Sequence, residues 1–380
     1  MTSTATLLRQ PDAFERLAML LPGIAGQAER VDRDDEFVAA NYEALRSARL
    51  MSAAVPTEFG GDGLDVRALS PLFVSLAHAC SSTALALAMH THVVALLAWR
   101  WRNQKAPVDA LLRRVADDQI VLVSSGGSDW LDSSGTAHPV EGGFLIDAVK
   151  GFASGVPAGT LLNTSAVYDD PKDGPTVLHF MAPLSDPKVR VEPVWKAMGM
   201  RGTGSHQVRI DGYFVADGAI AGRRPRGRWH MLFHLVSMIA IPIIYSVYYG
   251  VAEALRDAAV ASATRRAATP ALVQAVGGLE TELAAARFAL ADMLAASAEQ
   301  PGPATTKRVF LARANVVRAL LASAERSLDV AHGSGYMRTG PIERLFRDIQ
   351  AARFHPLQPL AQQDLAGRMA LGLDIDAAAG

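Results

Sequence analysis

Two short runs in this chain hold residue types that could act on a flat ligand. Lys150-Gly-Phe-Ala-Ser-Gly155 closes a β-rich run with an aromatic, a hydroxyl and two glycines. Phe152 can supply an apolar plane and Ser154 a hydrogen bond, which a conjugated ring with one polar edge requires. Taken alone, the same run reads as a strand-ending turn with a core phenylalanine. Met89-His-Thr-His92 lies in a helical pattern. His90 and His92 are two apart, so they point to different faces and cannot form an i, i+4 metal pair. At most one of them faces a pocket. The basic run Arg223-Arg-Pro-Arg-Gly-Arg228 offers guanidinium groups suited to phosphate. Its plainer reading is a solvated linker.

The elements that must carry these residues fall into three zones. From Asp12 to Asp118, Ala, Leu and Arg recur at three- and four-residue spacing, the mark of helices. From Gln119 to Ile220 the period shortens. Ile120–Val123, Phe144–Ala148, Thr164–Tyr168, Val177–Met181 and Val208–Ile210 are short β-rich runs separated by Gly, Pro, Asp and Ser. That texture predicts an antiparallel β-sandwich or barrel. From Trp229 onward the chain is Ala-rich and helical, and Gln300–Ala304 breaks two long stretches, with Thr305 or Thr306 expected to cap the second. The fold class is therefore α+β: an N-terminal helical domain (1–118), a central β-domain (119–225) and a C-terminal helical bundle of four-helix type (226–380).

Composition removes several function classes. The net charge of −1 gives no field to attract nucleic acid or an anionic membrane. Cys80 is the single cysteine, so an intrachain disulfide and multi-cysteine zinc sites are excluded, and a reducing cytoplasm fits. The polar Met1–Gln10 stretch lacks the apolar centre of a signal peptide. Met231–Val251 is long and apolar enough to span a bilayer, but His234, Ser237, Pro242 and Ser246 interrupt it. A helix buried inside a large protein is the expected reading.

The order of the motifs carries more than any one of them. Val55-Pro-Thr-Glu-Phe-Gly-Gly-Asp-Gly63 closes the first zone, and Ser128-Asp129 follows the first β-run. Lys150–Gly155 comes next, then Met198-Gly-Met-Arg-Gly-Thr-Gly-Ser205. Gly333-Ser-Gly-Tyr336 and Pro341-Ile-Glu-Arg-Leu-Phe-Arg-Asp348 complete the series. Along nearly its whole length the chain resembles the acyl-CoA dehydrogenase superfamily. The resemblance implies a flavoprotein oxidoreductase using FAD, with FMN as the other option. Phe152 and Ser154 then lie against the flavin, with Ser124 and Ser125 near its pyrimidine edge. It further implies a homo-oligomer, a tetramer, in which Arg265 or Arg266 reaches a neighbour's pyrophosphate. Asp329, at about the position of the family's Gln, and Gly333 are further cofactor-binding residues that the resemblance implies.

The resemblance also exposes a departure. The family's catalytic glutamate lies just past the Arg-Asp stretch, where this chain reads Phe354-His-Pro-Leu357. The alternative position for that base falls near Ala240, and no carboxylate occurs from Arg228 to Val251. A related branch of flavin monooxygenases receives reduced flavin from a separate reductase. It carries a histidine after the same Arg-Asp, an Asp like Asp329 and a histidine in the region of His92. We therefore expect a monooxygenase with His355 as its main acid–base group, titrating at about pH 6 to 7.5, and His92 assisting. An acyl-CoA dehydrogenase acting on an acyl thioester with an electron-transfer partner is the alternative. A non-catalytic oligomeric scaffold is the third. The substrate is a small molecule or acyl thioester.

Overall fold

The computed structural model describes residues 11–125 and 127–376. The Met1–Gln10 stretch and the side chain of Ser128 lie outside what is described. Five helices come first: α1 (Ala13–Asp34), α2 (Ala39–Ser47), α3 (Val66–Ala79), α4 (Ser81–Gln104) and α5 (Asp109–Asp118). Asp12 starts α1 through a capping box with Glu15, satisfying amides that would otherwise be unpaired.

Eight strands follow: β1 (Leu122–Ser124), β2 (Thr136–Val140), β3 (Gly143–Ala153), β4 (Leu161–Asp170), β5 (Gly174–Pro183), β6 (Val189–Glu192), β7 (His206–Ala216) and β8 (Gly222–Pro225). They form one sheet in the order β6-β7-β3-β2-β4-β5-β8, with β1 on β4. Most ladders are antiparallel as expected, but β1 and β2 both run parallel to β4. The first of these sets Ser124 beside Asn163, and the β4–β5 register sets Ser165 beside His179. Arg224 lies on β8, hydrogen-bonded to β5, and is buried. The first half of the basic run is therefore an edge strand rather than a linker.

The last zone holds α6 (Met231–Ala263), α7 (Pro270–Ala296), α8 (Pro303–Ala331), α9 (Gly333–Tyr336), α10 (Pro341–Ile349) and α11 (Pro359–Leu371). Helix α8 begins at Pro303, whose fixed φ suits a first turn. Thr305 and Thr306 thus lie inside the helix and do not cap it. Thr306 Oγ1 instead meets His234 Nδ1 at 2.7 Å. Helices α4 and α6 are both long and apolar enough to cross a membrane, yet most of each is buried within the protein. α6 packs on α3, α4 and α8, so it is apolar on nearly every side because protein surrounds it.

The Arg-Asp stretch of α10 is a clasp. Arg347 grips Asp32 of α1 with two nitrogens, at 2.9 and 2.6 Å, and donates to Met198 O at 2.7 Å. Asp348, fully buried, accepts from Met200 N at 2.5 Å and from Ser81 Oγ. Three parts of the chain are joined there, and the segment leading to His355 starts from a fixed point.

Candidate active site

A cavity of about 170 Å³ opens between the β-domain and helices α4 and α6. His92, Ser124, Ser125 and His355 all line it. Its walls include Val93, Leu96, Ala240, Ile241 and Ile244, so one side is apolar. Ala240, near the position expected for the alternative base, is among these apolar lining residues. Trp130, Asn163, His179 and Arg224 also line it, and sequence reasoning missed all four. The one legible signal was the basic run containing Arg224. His179 interrupts an apolar strand, which alone points nowhere.

The histidines divide cleanly. His90 Nδ1 accepts from Leu122 N at 2.9 Å, so its Nε2–H must donate to Met51 O, also at 2.9 Å. It ties α4 to β1 and is structural. His92 donates Nδ1–H to Ala88 O at 3.1 Å, which leaves Nε2 with a free lone pair. Burial pushes the His92 imidazole down to about 4, so it is neutral near pH 7.

His355 is held from two sides. Tyr248 Oη lies 2.7 Å from its Nε2. Burial keeps the Tyr248 phenol well above its ordinary range, so the phenol retains its proton. No other hydrogen-bond partner of that hydroxyl exists among the described residues, and leaving a buried O–H unspent is unfavourable. Tyr248 therefore donates to Nε2, and the His355 proton sits on Nδ1. From α8, buried Arg313 donates to His355 O at 2.6 Å and to Tyr245 Oη at 2.9 Å. Burial first, then the Arg313 charge, push His355 down to about 3. The expectation of titration at pH 6 to 7.5 is corrected: His355 is a neutral N–H donor.

The polar edge of the cavity is uncommitted. Ser124 Oγ and the Asn163 amide have no side-chain hydrogen bond among the described residues, and Trp130 Nε1 is buried without a partner. Ser125 accepts from Thr164 at 3.1 Å. The glycine loop after β1 packs closely on the His355 segment, for a Cβ on Gly127 would come within 2.8 Å of the Pro356 ring. Asp129 is the only carboxylate among the lining residues described, and it is spent. Its Oδ2 meets Lys150 Nζ at 2.6 Å and its Oδ1 accepts from Ser134 at 2.7 Å.

The remaining expected residues lie elsewhere. Phe152 and Ser154 do not line the cavity. Phe152 occupies a bulge between β3 and β7, at φ 57°; the residue is 58% exposed and its ring lies beside Trp195. Ser154 Oγ bonds Ser205 Oγ at 2.7 Å. Arg265 and Arg266 are exposed just beyond α6. Arg266 bonds Val330 O and shares a separate surface hollow with Asp329; Gly333 opens α9 close by in sequence.

The N-terminal and C-terminal domains of the acyl-CoA dehydrogenase family match residues 22–108 and 243–358. An L-evernosamine nitrososynthase of a Micromonospora species is 30% identical, over 95% of this chain and 90% of its own length. The chain belongs to the acyl-CoA dehydrogenase family. That membership makes it a flavin-dependent oxidoreductase by class. An amino sugar nitrososynthase of Streptomyces rubradiris is 28% identical, over 94% of this chain and 88% of its own. The solved structure of KijD3 with FMN and dTDP-3-amino-2,3,6-trideoxy-4-keto-3-methyl-D-glucose superposes with a TM-score of 0.88 at 28% identity. The match covers 96% of this chain and 94% of that one. Neither position expected for a dehydrogenase base carries a carboxylate in this chain, and His92 and His355 line the cavity.

Proposed function

We propose that this chain is a flavin-dependent monooxygenase that oxygenates the nitrogen of a small amine, with an amino sugar as the substrate class its relatives favour. One observation carries the reading: among the described residues the cavity offers no uncommitted carboxylate. A dehydrogenase needs such a group to take a weakly acidic carbon-bound proton. An amine oxygenase needs the reverse, because only the neutral amine has a lone pair to give to oxygen. Buried Arg224 in the lining and Arg313 behind His355 disfavour an ammonium ion, and among the described lining residues no free carboxylate is placed to hold one.

The residues present fit a flavin, FMN or FAD. The aliphatic wall suits a flat ring, and Ser124, Asn163 and the Trp130 N–H suit its polar edge. Reduced flavin, when bound, supplies the electrons that activate oxygen, and a separate reductase is the proposed source. His92 Nε2 is placed to accept an N–H of the amine. His355 Nδ1–H is the donor for the reduced oxygen, and the apolar wall keeps bulk water out. Arg265 and Arg266 cannot reach this chain's own cavity. From Ile244, the last α6 residue at the cavity, the helix runs about 28 Å to its end. A diphosphate contact by either arginine would therefore be to a neighbouring subunit's flavin, as a homo-oligomer allows.

Phe152 lies outside the cavity, so it tests whether a bound flavin extends from the cavity to this exposed ring. An exposed aromatic held at positive φ is strained by about 1 kcal/mol. Phe152→Gly relieves that strain, so the denaturation midpoint should stay level or rise. Flavin retention should fall by roughly tenfold as the aromatic plane is lost. Unchanged retention removes Phe152 from the ring site. The reaction class is tested by mixing the flavin-loaded, oxidised protein anaerobically with acyl-CoA thioesters. It should stay yellow; bleaching would restore the dehydrogenase reading.

A further inference from the structure

We infer that His179, backed by Arg224, is the specificity residue that holds an anionic oxygen of the substrate, a carboxylate or phosphate, where two joined cavities meet. The inference rests on the reading that the cavity containing His355 is the reaction chamber. A second cavity, of about 400 Å³, adjoins it. Asn163, His179 and Arg224 line both, together with Val93, Leu96 and Leu232. A substrate reacting in the inner chamber can therefore extend into the outer one past His179.

The state of His179 follows from its partner. Arg224 Nε–H lies 3.0 Å from His179 Nε2. A guanidinium has no lone pair to offer, so the imidazole nitrogen must accept. The ring proton then sits on Nδ1, which has no partner among the described residues. Burial, then the Arg224 charge, hold His179 down to about 3, so the ring carries only this one proton. His179 thus presents a fixed N–H and selects for acceptor atoms.

The surroundings select for negative charge. Arg100, Arg223 and Arg224 line the outer chamber with His230, and among the described residues no Asp or Glu lines it. Arg100 bonds the neutral Gln104, and Arg223 faces Asp217 only at 3.7 Å. Arg224 is 3% exposed and spends its other N–H groups on the carbonyls of Trp130, Leu131 and Pro225. Among the described residues no carboxylate lies within ion-pair distance of it. Asp132 and Asp129 act on it only from beyond that distance, so a bound anion would supply a closer partner.

The test is calorimetric titration of the full chain, without flavin, using inorganic pyrophosphate and succinate as probes at low salt. We expect binding of about one probe per chain that weakens as salt is added. Binding of pyrophosphate alone identifies a phosphate-bearing substrate, and binding of succinate alone a carboxylate-bearing one. His179→Leu should weaken the bound probe by about tenfold or more. His179→Gln, which can still accept from Arg224 and donate an N–H, should stay within about threefold. Arg100→Gln, at a partly exposed position that does not test the fold, should weaken it by several-fold. No binding of either probe, or wild-type binding in both His179→Leu and Arg100→Gln, overturns the inference. Because the titration needs neither flavin nor turnover, its outcome is separate from that of the monooxygenase reading.

Discussion

His355→Leu should lower turnover by about a hundredfold, while His355→Gln should keep it within about tenfold of the wild type. The difference follows from what the ring does. Tyr248 fills Nε2, burial and Arg313 hold the ring down to about 3, and Nδ1–H is left as a donor. Glutamine can also accept from Tyr248 and donate an N–H; leucine can do neither. The pH behaviour follows with the same sign. A histidine whose value in the folded protein is depressed takes its proton only as pH falls through that value. The wild-type rate should therefore show no His355 inflection between about pH 6 and 7.5, and acid loss should begin only below about pH 4. Steady-state rates of the three proteins across pH check this. A wild-type inflection near neutrality that vanishes in His355→Gln would make His355 a titrating base.

Lys150→Met should destabilise the folded chain by about 3 to 5 kcal/mol. Lys150 is fully buried, and its ammonium is shared among Asp129 Oδ2, Ser134 O and Ser134 Oγ, at 2.6, 2.7 and 3.1 Å. Burial pulls the lysine below its ordinary range while Asp129 pulls it back, so the charged state depends on the pair. Removing the lysine leaves the buried Asp129 carboxylate with Ser134 Oγ as its remaining side-chain donor, beside the active-site loop. Asp129 begins the turn that carries Trp130 into the cavity, so flavin affinity should fall as well. The double variant Lys150→Met, Asp129→Leu should recover most of the stability, because a well-packed apolar pair often equals a buried ion pair. Chemical denaturation of the three proteins measures the cycle. A single variant as stable as the wild type would show that the pair contributes nothing.

Much of the fold was legible because hydrophobic period changes with element type. The shift from helical to two-residue spacing near Gln119, and back near Trp229, follows the helices and strands observed. The parallel pairing of β1 and β2 with β4 was not legible, since a short apolar run carries no direction. Sequence spacing established that His90 and His92 face different ways. It could not say which one lines the cavity, because the amide that claims His90 belongs to Leu122, far along the chain. His355 was found through its place after the Arg-Asp stretch. Its neutral state was hidden, because Tyr248 and Arg313 act on it from other helices. Arg224 looked like one member of a solvated basic run until the β5–β8 pairing buried it. Phe152 and Ser154 had the right chemistry for a ring but sit on an open face of the sheet, outside the enclosed cavity.

The central claim is oxygen transfer to nitrogen, and isotope incorporation tests it most directly. The protein, supplied with chemically reduced flavin and heavy-isotope dioxygen, would be given a panel of small primary amines. The panel includes the amino-sugar nucleotide present in the KijD3 complex. Mass spectrometry of the products would locate the label. The account predicts a hydroxylamine or nitroso product whose nitrogen bears oxygen derived from dioxygen, with the other atom in water. Reduced flavin consumed with the label entirely in peroxide and water, and no oxygenated amine from any member of the panel, would contradict it.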